Sequence, residues 1–131
     1  MILALQTAGP MTFIYIVDAA GSITATREWE SARQLADELL GTLADFLAQN
    51  GADFKGLTGI IIFSGPGSFT SLRIGHTVVN TLAAQLGIPV AGTGGANWVI
   101  DGAKALPDTQ VGAIAMPVYG AEANVTRPSL L

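Results

Sequence analysis

Apolar residues recur along the first half of the chain in the pattern of four β-strands. Residues 2–7, 12–18 and 23–29 are short apolar or alternating stretches separated by turn residues. Because these stretches follow one another so closely, antiparallel hairpins are the expected connections. Ile60–Phe63 is apolar without interruption and rich in β-branched side chains, which indicates a strand buried on both faces.

Two longer segments have a helical period. Residues 31–50 begin with a serine that can cap a helix, and their apolar positions fall on one arc: Leu35, Leu39, Leu40, Leu43, Phe46 and Leu47. A second helix is predicted from about residue 71 to residue 86. Ser68 or Thr70 is its candidate N-cap, and Gly87 ends it.

The rest of the pattern completes an α/β architecture. It predicts a short strand at residues 88–91, one or two helical turns within 97–106 and a last strand at 111–116. Three strands, a helix, a strand, a helix and a strand make a mixed sheet with crossover helices. The glycine-rich joint at 92–95 divides the chain into a lobe of residues 1–92 and a shorter segment, residues 93–131.

The composition points to a protein that binds a partner. Charged residues make up only 12% of the chain, about half of the usual share, so its surface is expected to be unusually apolar. The net charge of −4 argues against strong direct binding of nucleic acid. The absence of cysteine excludes disulfides and thiolate metal sites. No apolar run has the length of a membrane span and no basic leader precedes the first strand, so a cytoplasmic location is expected.

A glycine-rich loop joins the buried strand to the second helix, and the chain reads SGPGSFTSLRIG over residues 64–75. A tight loop before a helix N-terminus presents backbone N–H groups and can hold an anion, although it can equally be a plain corner. Arg73 could bind such an anion or form an ion pair with a carboxylate. The candidate residues of this loop are Gly65, Pro66, Gly67, Ser68, Phe69, Thr70 and Arg73.

This run resembles the GPGSFTGLRIG signature of the TsaB (YeaZ) family, with Ser71 where that family has glycine. The family belongs to the ASKHA superfamily of actin, sugar kinases and the Hsp70 ATPase, and the predicted element order matches an ASKHA N-terminal lobe. The closing residues 116–125 also resemble the family's proline-x-tyrosine tail. The chain is therefore expected to be a naturally shortened member, with residues 93–131 packing on or extending from the first lobe.

The resemblance implies a scaffold role. TsaB proteins are non-catalytic partners of TsaD, which transfers threonylcarbamoyl to a tRNA adenosine, and the two bind through paired helices. A TsaE-like ATPase is a further implied partner, and a homodimer is implied when the chain is alone. The predicted interface comprises Leu39, Leu43, His76, Thr77, Asn80, Thr81 and Ala84.

Part of this interface also follows from spacing on the second helix. Thr77, Thr81 and Ala84 are small residues on one stripe, which lets another helix approach closely. The alternative is that the stripe lies in the core of the domain itself.

The sequence predicts no catalytic residue, metal site or cofactor. ASKHA ATPases end their first strand in an aspartate, whereas this chain has Gln6, and an amide is a weaker ligand for a divalent cation. A two-histidine metal site is excluded because His76 is the only histidine. A hydrolase triad of Ser64 or Ser68 with His76 and Asp101 lacks the G-x-S-x-G elbow.

Two other functions stay open. One is a small ASKHA-type enzyme that binds a nucleotide or a phosphate at the glycine-rich loop. The other is a self-associating structural module. A glycosylation triplet at Asn124–Thr126 is interpreted as a chance match.

Overall fold

A mixed five-stranded sheet forms the centre of the computed structural model, which describes residues 1–119. The strands are β1 (Ile2–Gln6), β2 (Met11–Val17), β3 (Ile23–Glu30), β4 (Gly59–Phe63) and β5 (Val90–Thr93), in the spatial order β3-β2-β1-β4-β5. β1, β2 and β3 pair antiparallel as successive hairpins, and β4 and β5 are parallel to β1. The mixed α/β fold class is as predicted.

Helices cover both faces of the sheet. α1 (Leu35–Gln49) and α2 (Phe69–Leu86) pack on one face, and α3 (Trp98–Ala105) packs on the other. Short 3₁₀ turns at Ala32–Gln34, Phe54–Gly56 and Leu106–Asp108 connect these elements. The strand β4 is buried on both sides because Ile60 and Ile62 face α1 and α2, whereas Ile61 faces α3.

The segment after residue 92 is packed against the sheet. Trp98, Ala103 and Leu106 form an apolar cluster with Ile2 and Ile61 on the second face. Residues 93–119 therefore pack on the lobe formed by residues 1–92, and the division into two domains stays a prediction. The later part of the resembling tail and the Asn124–Thr126 triplet lie outside the described residues.

A capping serine and a glycine define the two ends of α2. α2 begins at Phe69, two residues earlier than predicted, and the Ser68 hydroxyl accepts the Ser71 N–H at 3.4 Å as its N-cap. Gly87, at φ 69°, ends the helix in the left-handed conformation that favours glycine.

Ser31 does not cap α1, contrary to the prediction. The Ser31 hydroxyl lies 2.7 Å from the Thr12 hydroxyl in a buried pair, so it is not directed at the helix amides. Ala32 follows with a positive φ of 42°, and a 3₁₀ turn precedes the first α-helical residue.

The strand predicted at residues 111–116 does not form. A turn at residues 111–112, with Gly112 at φ 94°, precedes an irregular segment. The backbone of Ala115 bonds to the side chain of Asn80 in both directions, instead of to a neighbouring strand.

Candidate functional site

The glycine-rich loop fastens α2 to the carboxyl ends of three strands. Ser64 N–H donates to Thr93 O, after β4, and Ser68 N–H donates to Ala8 O, after β1, both at 2.7 Å. These bonds join the ends of β1, β4 and β5 to the start of α2.

The glycines of this run permit close packing. A Cβ on Gly67 would lie 2.5 Å from Ala8 O, and a Cβ on Gly75 would overlap the hydroxyl of Thr7. That hydroxyl is buried and donates to Ser71 O at 2.9 Å. Gly67 and Gly75 therefore bring α2 and the end of β1 into direct contact.

Arg73 contacts an aromatic ring. Its guanidinium lies 6.0 Å from the ring centre of Phe69, whose ring packs on Tyr119 with centroids 4.5 Å apart. Within residues 1–119 the one ion pair is Arg27–Asp45, so Arg73 has no carboxylate partner in this part of the chain. Whether Arg73 binds an anion stays an open prediction.

The hydrolase triad that the sequence argues against is also not assembled in the structure. His76 lies on α2, on one face of the sheet, whereas Asp101 is exposed on α3, which covers the opposite face. Among residues 1–119, no group of three or more carboxylate, histidine or cysteine side chains is placed to hold a metal ion. No helix in this part of the chain has the length and apolar character needed to cross a membrane.

An apolar groove runs between α1 and α2 on the outer side of the domain. It consists of two adjoining cavities of about 360 Å³ and 410 Å³. Ala36, Thr77 and Val78 line both cavities. Phe69 lines the first cavity, and Leu40 and Thr81 line the second. Leu40 and Phe69 are 50% and 45% exposed, so the groove presents two large apolar side chains to solvent.

Two of the predicted interface residues, Thr77 and Thr81, line this groove, and Ala84 follows them on α2. Thr77, Thr81 and Ala84 are exposed on α2, which excludes the alternative that their stripe belongs to the core of this domain. Asn80 is half-buried, and its side chain is bound to Ala115.

The other predicted interface residues are inside the domain. Leu39 and Leu43 have no exposed surface and pack between α1 and the sheet, and His76 is 3% exposed. Leu39 and Leu43 belong to the apolar arc of α1, which faces the sheet, so their assignment to a surface contact is wrong. His76 is buried on α2, so its assignment to that contact is wrong as well. Leu40 and Phe69 were missed as surface positions, although Leu40 lies at the margin of that arc.

Burial changes the acid–base properties of two side chains. It lowers the pKa of His76, an effect partly opposed by the bond of Nδ1 to Leu72 O at 2.7 Å. Burial also raises the pKa of Tyr15, and the charge of Glu28 adds to this effect. Tyr15 packs with Trp98 on the α3 face, remote from the groove.

Comparison with known proteins relates this architecture to tRNA modification. The sequence profile of the family described as "TsaD: tRNA N6-adenosine threonylcarbamoyltransferase" matches residues 29–111. YeaZ from Pseudomonas aeruginosa has a TM-score of 0.64 and 29% identity over 71% of this chain and 43% of that protein. A second structure, described as similar to peptidase YEAZ from Pseudomonas aeruginosa, has the same TM-score and identity over 71% of this chain and 42% of its own.

A sugar-kinase structure shares the fold. The Listeria monocytogenes protein Lmo2764, described as a proposed N-acetylmannosamine kinase, has a TM-score of 0.50 and 24% identity over 71% of this chain and 34% of its own. A sequence comparison with curated proteins gave no significant match. The predicted ASKHA-like fold is confirmed, and this chain spans about two fifths of the length of the YeaZ structures.

Proposed function

The chain belongs to the family described as TsaD, tRNA N6-adenosine threonylcarbamoyltransferase, and we propose that it acts in tRNA modification as a scaffold for a TsaD-like catalytic subunit. The proposed contact is helical: a helix of the partner lies in the groove between α1 and α2. The modification served is threonylcarbamoylation of adenosine, as the sequence resemblance implies. A TsaE-like ATPase as a further partner, a cytoplasmic location and the shortened form stay predictions from that resemblance.

The observation that carries this proposal is the groove, which no other part of residues 1–119 covers. Apart from Arg73 and Gln85, its lining side chains are small or apolar, and Arg73 is the one charged residue on α2. Small residues at Thr77, Thr81 and Ala84 allow a second helix to approach to about 8–10 Å between axes. Removing Leu40 and Phe69 from water would contribute favourably to such a complex.

The chemistry is assigned to the partner because this chain has few groups that could perform it. Gln6 stands where ASKHA ATPases have an aspartate. His76 is buried and bonded to its own helix. In the Gly65–Ser68 loop, the Ser68 amide already donates to Ala8 O, so it cannot donate to a bound phosphate.

The alternative of a nucleotide-binding enzyme has a direct test. In isothermal titration of this chain with Mg-ATP, we expect a dissociation constant above about 1 mM, which corresponds to a binding free energy of less than about 4 kcal/mol. The chain with Gly67→Ala is the control for the loop. Micromolar binding that Gly67→Ala removes would favour the enzyme alternative over the scaffold.

The scaffold proposal is tested with Thr81→Arg. A long charged side chain in the groove would prevent close helix contact and would be desolvated without a partner. We expect the variant to lose co-purification with TsaD, a loss of at least about tenfold in affinity, or about 1.4 kcal/mol. Circular dichroism should show an unchanged fold because Thr81 is exposed.

The matched control is Thr26→Arg, which places the same substitution at an exposed position of the edge strand β3. It should leave co-purification at the level of the unsubstituted chain. Equal retention of TsaD by both variants would contradict a contact through the groove. Sedimentation of each variant alone tests the self-association alternative. That alternative would be favoured if the unsubstituted chain formed a homodimer that Thr81→Arg dissociates and did not bind TsaD.

A further inference from the structure

Residues 115–119, which we call the strap, run along α2 in the direction opposite to the helix. At one end, Asn80 Nδ2 donates to Ala115 O at 2.9 Å, and Ala115 N–H donates to Asn80 Oδ1 at 3.0 Å. At the other end, Val118 N–H donates to Ser64 O at 2.7 Å, and Tyr119 packs on Phe69. The strap is therefore held at its two ends.

His76 lies midway between these two attachments. Leu72 and Val118 O both border the position where Gly65 would carry a Cβ, so the strap passes the helix near Leu72. The rise from Leu72 to Asn80 is about 12 Å, and an extended strap spans about 10 Å from Ala115 to Val118. Because Leu72, His76 and Asn80 are spaced four residues apart, all three lie on the same side of α2.

The imidazole of His76 has one satisfied nitrogen and one that is not. Nδ1 lies 2.7 Å from Leu72 O, so in the neutral ring this nitrogen carries the proton. Nε2 is buried and has no hydrogen-bond partner among residues 1–119. Protonation would add a second buried N–H without an acceptor, together with a positive charge.

Within the described residues, the elements next to His76 offer no charged side chain that would compensate that charge. β1, β4, β5 and the glycine-rich loop contain no acidic, basic or histidine residue, and Tyr119 is the one titratable residue of the strap. On α2 itself the other titratable group is Arg73, which is also cationic and lies on the exposed side. The surroundings of His76 therefore accept the neutral ring and disfavour the imidazolium.

We propose that the strap is a pH-sensitive cover of α2, attached while His76 is neutral and released when His76 is protonated. Apart from the contact of Tyr119 with Phe69, release exposes little apolar surface, because Met116 and Val118 are already 71% and 54% exposed and Ala115 is the one buried residue of the strap. It uncovers the side of α2 next to the Thr77–Thr81 stripe. This inference concerns the chain alone and does not depend on the scaffold proposal.

The direction of the pH effect follows from linkage. Burial lowers the pKa of His76 from the ordinary value of 6.5, so the attached state binds the proton more weakly than the released state. The attached strap is favoured fully above that ordinary value, and its stability falls as the pH drops below it. Each pKa unit of lowering corresponds to about a tenfold change in the release equilibrium.

The test is NMR of the chain, in which His76 is the only histidine, so its ring signals are unambiguous. Between pH 7.5 and pH 5, we expect the backbone amides of Ala115 and Val118 to lose hydrogen-exchange protection, after correction for intrinsic exchange. The pH at the midpoint of this loss should coincide with the midpoint of the His76 titration. Core amides of β1 and β4 should keep their protection.

Two variants separate the strap from general effects of pH. His76→Leu should abolish the pH dependence at Ala115 and Val118, and Asn80→Ala should release the strap at pH 7.5 and move the pKa of His76 back toward 6.5. A titrating His76 with protected strap amides would overturn the proposal. Simultaneous loss of protection in β1 and β4 would also overturn it, because protonation would then act on the whole fold. If His76→Leu fails to fold, the Asn80→Ala titration decides alone: an unchanged pKa of His76 contradicts the proposal.

Discussion

Leu43→Ala should lower the free energy of unfolding by about 3 kcal/mol, within the ~2–5 kcal/mol found for buried leucines. Leu43 has no exposed surface and belongs to the cluster between α1 and the sheet, so truncation leaves a cavity. The loss is a large share of the ~5–15 kcal/mol that stabilises a typical domain. Urea denaturation measures it as a lower midpoint with an unchanged slope.

Leu40→Ala is the matched control, three residues earlier on the same helix and 50% exposed. It should cost less than about 1 kcal/mol, because little apolar surface changes its environment. If both substitutions reduced stability equally, the assignment of Leu43 to the core and Leu40 to the groove would be incorrect. Leu40→Ala should instead weaken the contact with TsaD.

Gly75→Ala should destabilise the chain by about 2–4 kcal/mol, although alanine is the better helix former. The added Cβ would overlap Thr7 Oγ1, which is buried and donates to Ser71 O. Relief of that overlap has to move α2 away from the end of β1, and the displaced Thr7 hydroxyl would lose its partner. Thermal unfolding measures the effect as a decrease of roughly 3–5 °C per kcal/mol.

Gly41→Ala is the matched control for Gly75→Ala, and it should stabilise the chain instead of destabilising it. Gly41 lies within α1, is exposed, and has open space where its Cβ would be. Alanine there should raise stability by about 0.5–1 kcal/mol through helix propensity. Equal effects of the two substitutions would show that Gly75 is not required for the contact between α2 and β1.

The main elements were predictable because their signals are local. Ile60–Phe63 is apolar on both faces, and α1 and α2 have clear helical periods and stops. The wrong predictions concern groups that form a hydrogen bond with a residue far away in the sequence. Ser31 pairs with Thr12 instead of capping α1, and Ala115 bonds to Asn80 instead of to a strand. No pattern within a short window contains such contacts.

The candidate site was only partly predictable for a related reason. The helical spacing of Thr77, Thr81 and Ala84 places them on one stripe, and the structure shows that this stripe faces outward. The apolar arc of α1 faces the sheet, as its period indicates, so the interface assignment of Leu39 and Leu43, which accompanied the family resemblance, is wrong. His76 is buried although it lies on a helix with an exposed stripe, and the period of α2 alone does not reveal this.

The placement of α3 on the second face of the sheet affects how the chain emerges from the ribosome. The strands β1 to β4 are complete once Phe63 has been made, but among the described residues it is the segment 98–106 that covers Ile2, Ala4 and Ile61 on that face. At the usual rate of ~5–20 residues per second, this interval lasts some seconds. During it the nascent chain presents a broad apolar sheet surface, which is the kind of surface that chaperones bind and through which unfinished chains aggregate.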